Sequence, residues 1–147
     1  MPIPVEASVI DAIIDAVETR MATLGYTATD EVFDFDAVPD SIIDGAYRIE
    51  IAQASKEYLS DHLARAIDSL SIYVAFIKTQ YPRTVLKTAL AARETIETDL
   101  INDSTIRALS SDPLLTMDGE AEAIKELEGY LVLRLVFHVD YLRSVAP

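Results

Sequence analysis

The stretch Tyr130-Leu131-Val132-Leu133-Arg134-Leu135-Val136-Phe137-His138-Val139-Asp140-Tyr141 indicates how the rest of the chain must be arranged. Every second residue from Leu131 to Tyr141 is apolar or aromatic, which is the two-residue period of a β-strand with one buried face. The opposite face is mixed, because Arg134 and His138 alternate there with apolar residues. We expect a strand that is central in its sheet or covered by a partner, since it is largely apolar on both sides.

Two further segments alternate in the same way. Residues 46–53 place Tyr47, Ile49 and Ile51 on one side, and residues 68–78 do the same with Leu70, Ile72, Val74 and Phe76. The connection between them, 54–67, is too long for a tight hairpin. It is predicted to be a functional loop or a helical turn, because Tyr58, Leu59, Leu63 and Ile67 have helical spacing.

Apolar residues at three- and four-residue spacing predict two helices. The first runs from Val9 to Leu24, with Ile13, Val17 and Met21 on its apolar side, and Gly25 stands where a helix would stop. The second runs from Pro82 to Asn102. The stripe on its inward side is expected to contain Leu86, Leu90 with Ala89, Arg93, Ile96 and Leu100.

The remaining segments are less regular. Residues 26–45 are interpreted as a loop or short edge strand over the core, because aspartates alternate with apolar residues and Pro39 interrupts any strand. Residues 105–119 read as a loop, and residues 120–128 as a helix or an edge strand. The expected order is therefore α-β-β-α-β in a single α+β domain, 1–147. Two main helices would pack on one face of a small antiparallel sheet.

Charge and composition exclude several classes of protein. The 147 residues contain 25 acidic and 12 basic side chains, a net charge of −13, whereas a protein that grips nucleic acid normally carries a basic stripe. The acidity also has a simpler explanation, which is solubility. The chain has no cysteine. Neither a signal-peptide pattern nor an apolar run of about 20 residues is present, so we expect a soluble protein made in the cytosol.

No group of residues predicts catalysis. His62 follows Ser60 and Asp61 directly, but triad partners meet through space and not along the chain, and His138 is predicted to lie at a surface or interface. Asp34, Asp36, Asp40 and Asp44 begin like a calcium loop, but Pro39 stands where the turn glycine is needed. We therefore expect no enzyme activity, no cofactor and no metal site.

The second face of the sheet carries more apolar side chains than two helices need to cover, at Tyr73, Ile77, Tyr130, Val132 and Val136. Two interpretations remain open. Either the 26–45 segment covers this face, or the face is an oligomer interface.

The order of elements resembles the tail terminator or head–tail joining proteins of long-tailed bacteriophages. The resemblance rests on the helix 9–24 closed by Gly25-Tyr26, the Pro39 loop that enters the strand 47–51, and the final strand 129–141 with its glycine at the start and tyrosine at the end. It covers most of the chain as a pattern of elements, with no diagnostic motif.

The resemblance implies a six-subunit ring that caps the tail tube and joins the tail to the head, with no chemistry of its own. Its partners would be tail-tube and head-completion or connector proteins, DNA would pass through without specific binding, and the mature location would be the tail or neck of the virion, after synthesis in the host cytoplasm. Such a ring needs two different complementary patches on each subunit. The expected interface residues are Lys56, Tyr58, Asp61, His62, Tyr73, Tyr130, Arg134 and His138.

Two other functions compete with this expectation. The chain could be a soluble adaptor or regulatory module that binds one cellular partner without catalysis. It could also be a small hydrolase that uses carboxylates such as Asp34, Asp36 and Glu94.

Overall fold

The computed structural model describes residues 5–78, 82–109, 115–117 and 123–144. Within these ranges it contains three helices and six strands, which confirms the α+β class. The helices are α1 (Val5–Thr23), α2 (Pro82–Asn102) and α3 (Ser104–Leu109). The strands are β1 (Thr27–Ala28), β2 (Ala46–Tyr58), β3 (Leu63–Ile77), β4 (Leu115–Met117), β5 (Ala123–Leu127) and β6 (Tyr130–Ser144).

The sheet is mixed, in the order β1-β2-β3-β6-β4, and β5 also pairs with β6. The final strand is central as expected, because β3 pairs with it antiparallel from Leu63↔Ser144 to Ile77↔Tyr130. Its other edge is occupied by β5 and β4 in turn. Among the described strands, β1 alone pairs in parallel, with the start of β2. The predicted order α-β-β-α-β is therefore wrong in detail, because it does not contain β1, α3, β4 and β5.

The predicted loop at 54–67 is wrong. Strand β2 continues to Tyr58 and β3 begins at Leu63, so a turn of four residues closes a long hairpin. A bulge between Gln53 and Ser55 shifts the register. Before it Ile51 lies opposite Leu70, and after it Lys56 lies opposite Ala66. A bulge adds one residue to one strand and so breaks the two-residue alternation, which is why the pattern in the sequence stops there.

All three helices contribute to one core on one face of the sheet. The face is formed by Leu70, Ile72, Val74 and Phe76 of β3 and by alternate residues of β6 from Leu131 to Tyr141. The predicted face of α1 is confirmed, because Ile13, Val17 and Met21 are fully buried. The layer also contains α3, which buries Ile106, so the prediction of two packed helices was incomplete.

The predicted stripe of α2 is confirmed at Ala89, Ile96 and Leu100, and it is displaced by one position at Leu86 and Leu90. Its buried residues are Val85, Ala89, Ala92, Ile96 and Leu100. Leu86 and Leu90 are instead 41% and 36% exposed. The buried stripe therefore combines three large apolar residues with two alanines, while Leu86 and Leu90 remain exposed.

Helix ends explain the remaining boundaries. Gly25 has φ +97°, and the N–H of Tyr26 donates to the carbonyl of Met21 at 3.0 Å, which closes α1 as predicted. The carboxyl of Asp103 accepts the N–H of Ile106 at 3.1 Å and so caps α3. The 105–119 segment, predicted as a loop, therefore contains most of α3 and also β4. The ambiguous 120–128 segment contains the edge strand β5.

Candidate interaction surface

The sheet face away from the helices is covered at one end by residues 29–44, here called the cover segment. A second core cluster joins Phe33 and Ile42 of this segment to Tyr73, Tyr130 and Val132 of the sheet. The Tyr73 ring meets the edges of Phe33 and Phe35 at centroid distances of 6.4 and 6.1 Å. The interpretation in which the 26–45 region covers this face is therefore confirmed for this end of the sheet.

Hydrogen bonds and two arginines hold the cover segment in place. The Tyr130 hydroxyl donates to the carbonyls of Ile42 at 3.0 Å and Asp40 at 3.3 Å. Arg48 lies 4.4 Å above the Tyr73 ring and donates from Nε to the carbonyl of Phe33. Arg134 lies 4.6 Å above the Phe35 ring. A guanidinium over an aromatic ring is a favourable contact, so these pairs stabilise the packing of the cover segment on the sheet.

The packing of the cover segment buries two of the expected interface residues and leaves the others at least partly exposed. Tyr73 and Tyr130 are each 8% exposed and lie beneath the cover segment of their own chain. Arg134 and His138 are half-buried on the same sheet face. They lie further along β6, two and six positions beyond Val132. The interior position of the two tyrosines leaves the remaining residues as candidates for contact with a partner.

The far end of the β2–β3 hairpin brings together the other four expected residues. We call Lys56, Tyr58, residues 59–62 and Leu142 the hairpin tip. Tyr58 lies opposite Ala64 on the helix side of the sheet, and Leu142 lies opposite Arg65 on the other face. Tyr58 is 66% exposed, and Leu59 and Leu142 are each 50% exposed. The ammonium group of Lys56 lies 4.8 Å above the Tyr58 ring, while Asp61 and His62 are exposed in the turn.

The hairpin tip is an ordered part of the sheet. The N–H groups of Leu59 and Ser60 both donate to the carbonyl of Leu63, at 2.9 and 3.1 Å. Ala64, which lies opposite Tyr58, is fully buried, and β6 pairs with β3 as far as Leu63↔Ser144, so the sheet supports the turn up to its last residues. Exposed apolar side chains on a rigid support are typical of a surface that binds another protein.

Two buried aspartates fix the strands beneath the tip. Asp68, 7% exposed on the helix side, accepts a hydrogen bond from the Tyr141 hydroxyl at 2.8 Å. Asp140 is 5% exposed on the opposite side and binds Arg65, whose Nε–H is shared between the two carboxylate oxygens at 2.9 and 3.0 Å and whose Nη2 also donates to Oδ2. Hydrogen bonding to Asp140 and its charge raise the pKa of the Arg65 guanidinium. Sequence reasoning missed both pairs, although an aspartate within an alternating strand was the available signal.

A further ion pair joins helices α1 and α2. Arg20 of α1 binds Asp99 of α2 through Nε–Oδ1 at 2.7 Å and a second hydrogen bond to Oδ2 at 2.8 Å. Asp103, which caps α3, lies 3.8 Å from the same guanidinium. The hydrogen bond and positive charge of Arg20 lower the pKa of the Asp99 carboxyl, against the opposing effect of partial burial.

The residues considered for metal binding or catalysis either form local hydrogen bonds or lie in separate parts of the structure. Asp34 accepts the N–H groups of Asp36 and Ala37 at 2.7 and 3.2 Å, and Asp44 accepts that of Ile77 at 2.8 Å. Across the described ranges, no three His, Asp or Glu side chains converge as metal ligands. His62 lies in the hairpin tip, whereas His138 lies in mid-strand on β6.

A small apolar pocket lies at the opposite end of the sheet from the hairpin tip. This base pocket has a volume of about 200 Å³ and is lined by Lys78, Arg83, Val85, Leu86, Glu126 and Leu131. Lys78 and Glu126 form an ion pair at 2.7 Å on its rim. Sequence reasoning missed the pocket because its walls come from β3, α2, β5 and β6.

Comparison with known proteins adds no assignment. A scan against models of protein families and a search of curated proteins find no match to this sequence. In the part of the chain that the structure describes, no helix is both long and apolar enough to cross a membrane.

Proposed function

We propose that this protein is a structural subunit of a long-tailed bacteriophage virion, a tail terminator that forms a six-subunit ring. The ring caps the tail tube and joins the tail to the head, and its partners are the tail-tube protein and the head-completion or connector proteins. The observation that carries the proposal is the hairpin tip, where Tyr58, Leu59 and Leu142 are exposed around the closed end of the β2–β3 hairpin.

The hairpin tip supports assembly because exposed apolar side chains gain free energy when a partner removes them from water, at about 25 cal/mol per Å². The hydrogen-bonded turn at Leu63 and the buried pairs at Asp68 and Asp140 hold the tip in one conformation. A preformed surface loses little conformational entropy on binding, which favours association.

The charge of the chain agrees with a ring around DNA. A net charge of −13 opposes the tight phosphate binding that would hold DNA in place. A ring with this charge lets the genome pass through its centre without specific contacts.

Assembly state and tube binding test this proposal together. The purified chain is measured by light scattering over a range of high concentrations and imaged in negative stain, with and without tail tubes of the phage that encodes it. Six-subunit rings, free or on tube ends, are expected. A chain that stays monomeric under all conditions and binds no tubes would refute the proposal. Recovery of a single host protein and no tube protein would favour the adaptor module instead.

A further inference from the structure

Most of the exposed large apolar side chains among the described residues lie near the two ends of the sheet; Val32, 74% exposed on the cover segment, is the exception. Tyr58, Leu59 and Leu142 lie at the hairpin tip. Those nearer the opposite end are Ile43, Ile77, Leu86 and Leu90. Ile77 lies on the sheet face away from the helices, near Ile43, whereas Leu86 and Leu90 lie on α2. The hairpin tip and the base pocket are thus two apolar patches at opposite ends of the sheet.

The two patches differ in form. The four-residue turn of the hairpin tip carries Leu59, which is 50% exposed, while β6 flanks β3 as far as Leu63↔Ser144. The base pocket is a depression of about 200 Å³ with Val85 and Leu131 in its walls and Leu86 41% exposed at its mouth.

The patches are complementary in charge. Asp61 is exposed in the turn, two residues after Leu59. Arg83 is exposed on the rim of the base pocket, beside Leu86 one helical turn further along α2. Opposite charges at the edges of an apolar contact orient the two surfaces and disfavour other pairings.

We propose that the hairpin tip of one copy of this chain docks into the base pocket of the next copy. Leu59 fills the apolar pocket against Leu86, and Asp61 approaches Arg83 at the rim. This inference rests on the proposed ring-forming function and specifies which surfaces make the ring.

The position of the patches determines the kind of assembly. Because they differ and lie at opposite ends of one sheet, the contact is head-to-tail, and each copy uses its tip for one neighbour and its pocket for the other. Head-to-tail contacts produce a ring when the rotation between neighbours closes. A two-fold symmetric dimer would instead bring two identical patches together.

Disulfide trapping tests the contact directly, because the chain contains no cysteine. A variant with both Leu59→Cys and Leu86→Cys is oxidised at ring-forming concentration, with and without tail tubes, and analysed on a non-reducing gel. We expect a ladder of linked species that extends to the full ring. Each single-cysteine variant is the control and is expected to give no species larger than a dimer.

Mixing experiments separate a head-to-tail contact from a symmetric one. Leu59→Asp removes the tip and Leu86→Asp removes the pocket, so each variant alone is expected to lose assembly by more than tenfold in the concentration required. Mixed in equal amounts, they retain one intact tip and one intact pocket and should form a dimer that does not grow. Val32→Asp, at a side chain 74% exposed on the cover segment, is the matched control and should assemble normally.

The outcomes distinguish this inference from the proposed function. Rings without a disulfide ladder would overturn the docking contact and leave the ring function standing. Normal rings that lose tube binding in Leu59→Asp would assign the tip to the tube protein and also overturn it. A chain that forms neither rings nor tube complexes would overturn both. Unchanged circular dichroism and melting temperature show that the variants are folded.

Discussion

Replacing Tyr141 with phenylalanine removes one hydroxyl group from the interior of the sheet without changing the shape of the ring. That hydroxyl donates to Asp68 at 2.8 Å, and the two residues are 4% and 7% exposed. A hydrogen bond to a charged group contributes about 1.5–3 kcal/mol, and a buried acceptor that loses its donor is costly. We expect Tyr141→Phe to lower the free energy of unfolding by about 2 kcal/mol. For a chain of this size that corresponds to a melting temperature roughly 4–8 °C lower.

Tyr130→Phe is the matched control for this prediction. Tyr130 lies on the same strand but on the other face, is 8% exposed, and donates to the neutral carbonyls of Ile42 and Asp40. A neutral hydrogen bond contributes about 0.5–1.5 kcal/mol, so this variant should lose about half as much. Urea unfolding followed by circular dichroism measures both. Equal losses in the two variants, or no loss in Tyr141→Phe, would refute the assignment of a stronger bond to Asp68.

Three further predictions concern other parts of the fold. Asp99 has a lowered pKa in the folded chain, so its bond to Arg20 stabilises the protein above the unfolded pKa of about 3.9 and this contribution is lost as the pH falls through the folded value. Urea unfolding should show wild type more stable than Asp99→Asn at pH 7 and equal to it in strong acid; a constant difference would contradict the linkage. Gly25 has φ +97° and open space at its Cβ position, so Gly25→Ala should cost about 1–2 kcal/mol through backbone strain, and Gly25→Asn less, in thermal melts. Phe33→Ala should cost about 3–5 kcal/mol because Phe33 is 1% exposed, whereas Val32→Ala, its exposed neighbour, should change the unfolding midpoint little.

The sequence was informative where one side of an element is buried along its whole length. The period of β6 and of α1 follows directly from such burial, and both elements were predicted with the correct inward face. Prediction failed where burial does not follow hydrophobicity. Helix α2 buries Ala89 and Ala92, while the larger Leu86 remains partly exposed.

The candidate interaction surface was only partly predictable. Lys56, Tyr58, Asp61 and His62 were expected at an interface, and they lie together at the hairpin tip. Their grouping with Leu142 could not be predicted, because it depends on the register of β6 against β3. The base pocket depends on four elements that are far apart in the chain, so no local pattern indicates it.

The bulge between Gln53 and Ser55 interrupts the outer edge of β2. Among the described strands, only the two residues of β1 pair with the outer edge of β2, so most of that edge presents its backbone N–H and C=O groups outward. A long regular edge of this kind is a template for adding strands from other molecules, which leads to fibrous aggregation. The bulge interrupts the spacing of those groups, and the charged Lys56 and Glu57 follow it directly. A strand added along this edge would lose its regular hydrogen-bond spacing at the bulge, which disfavours growth into one continuous sheet.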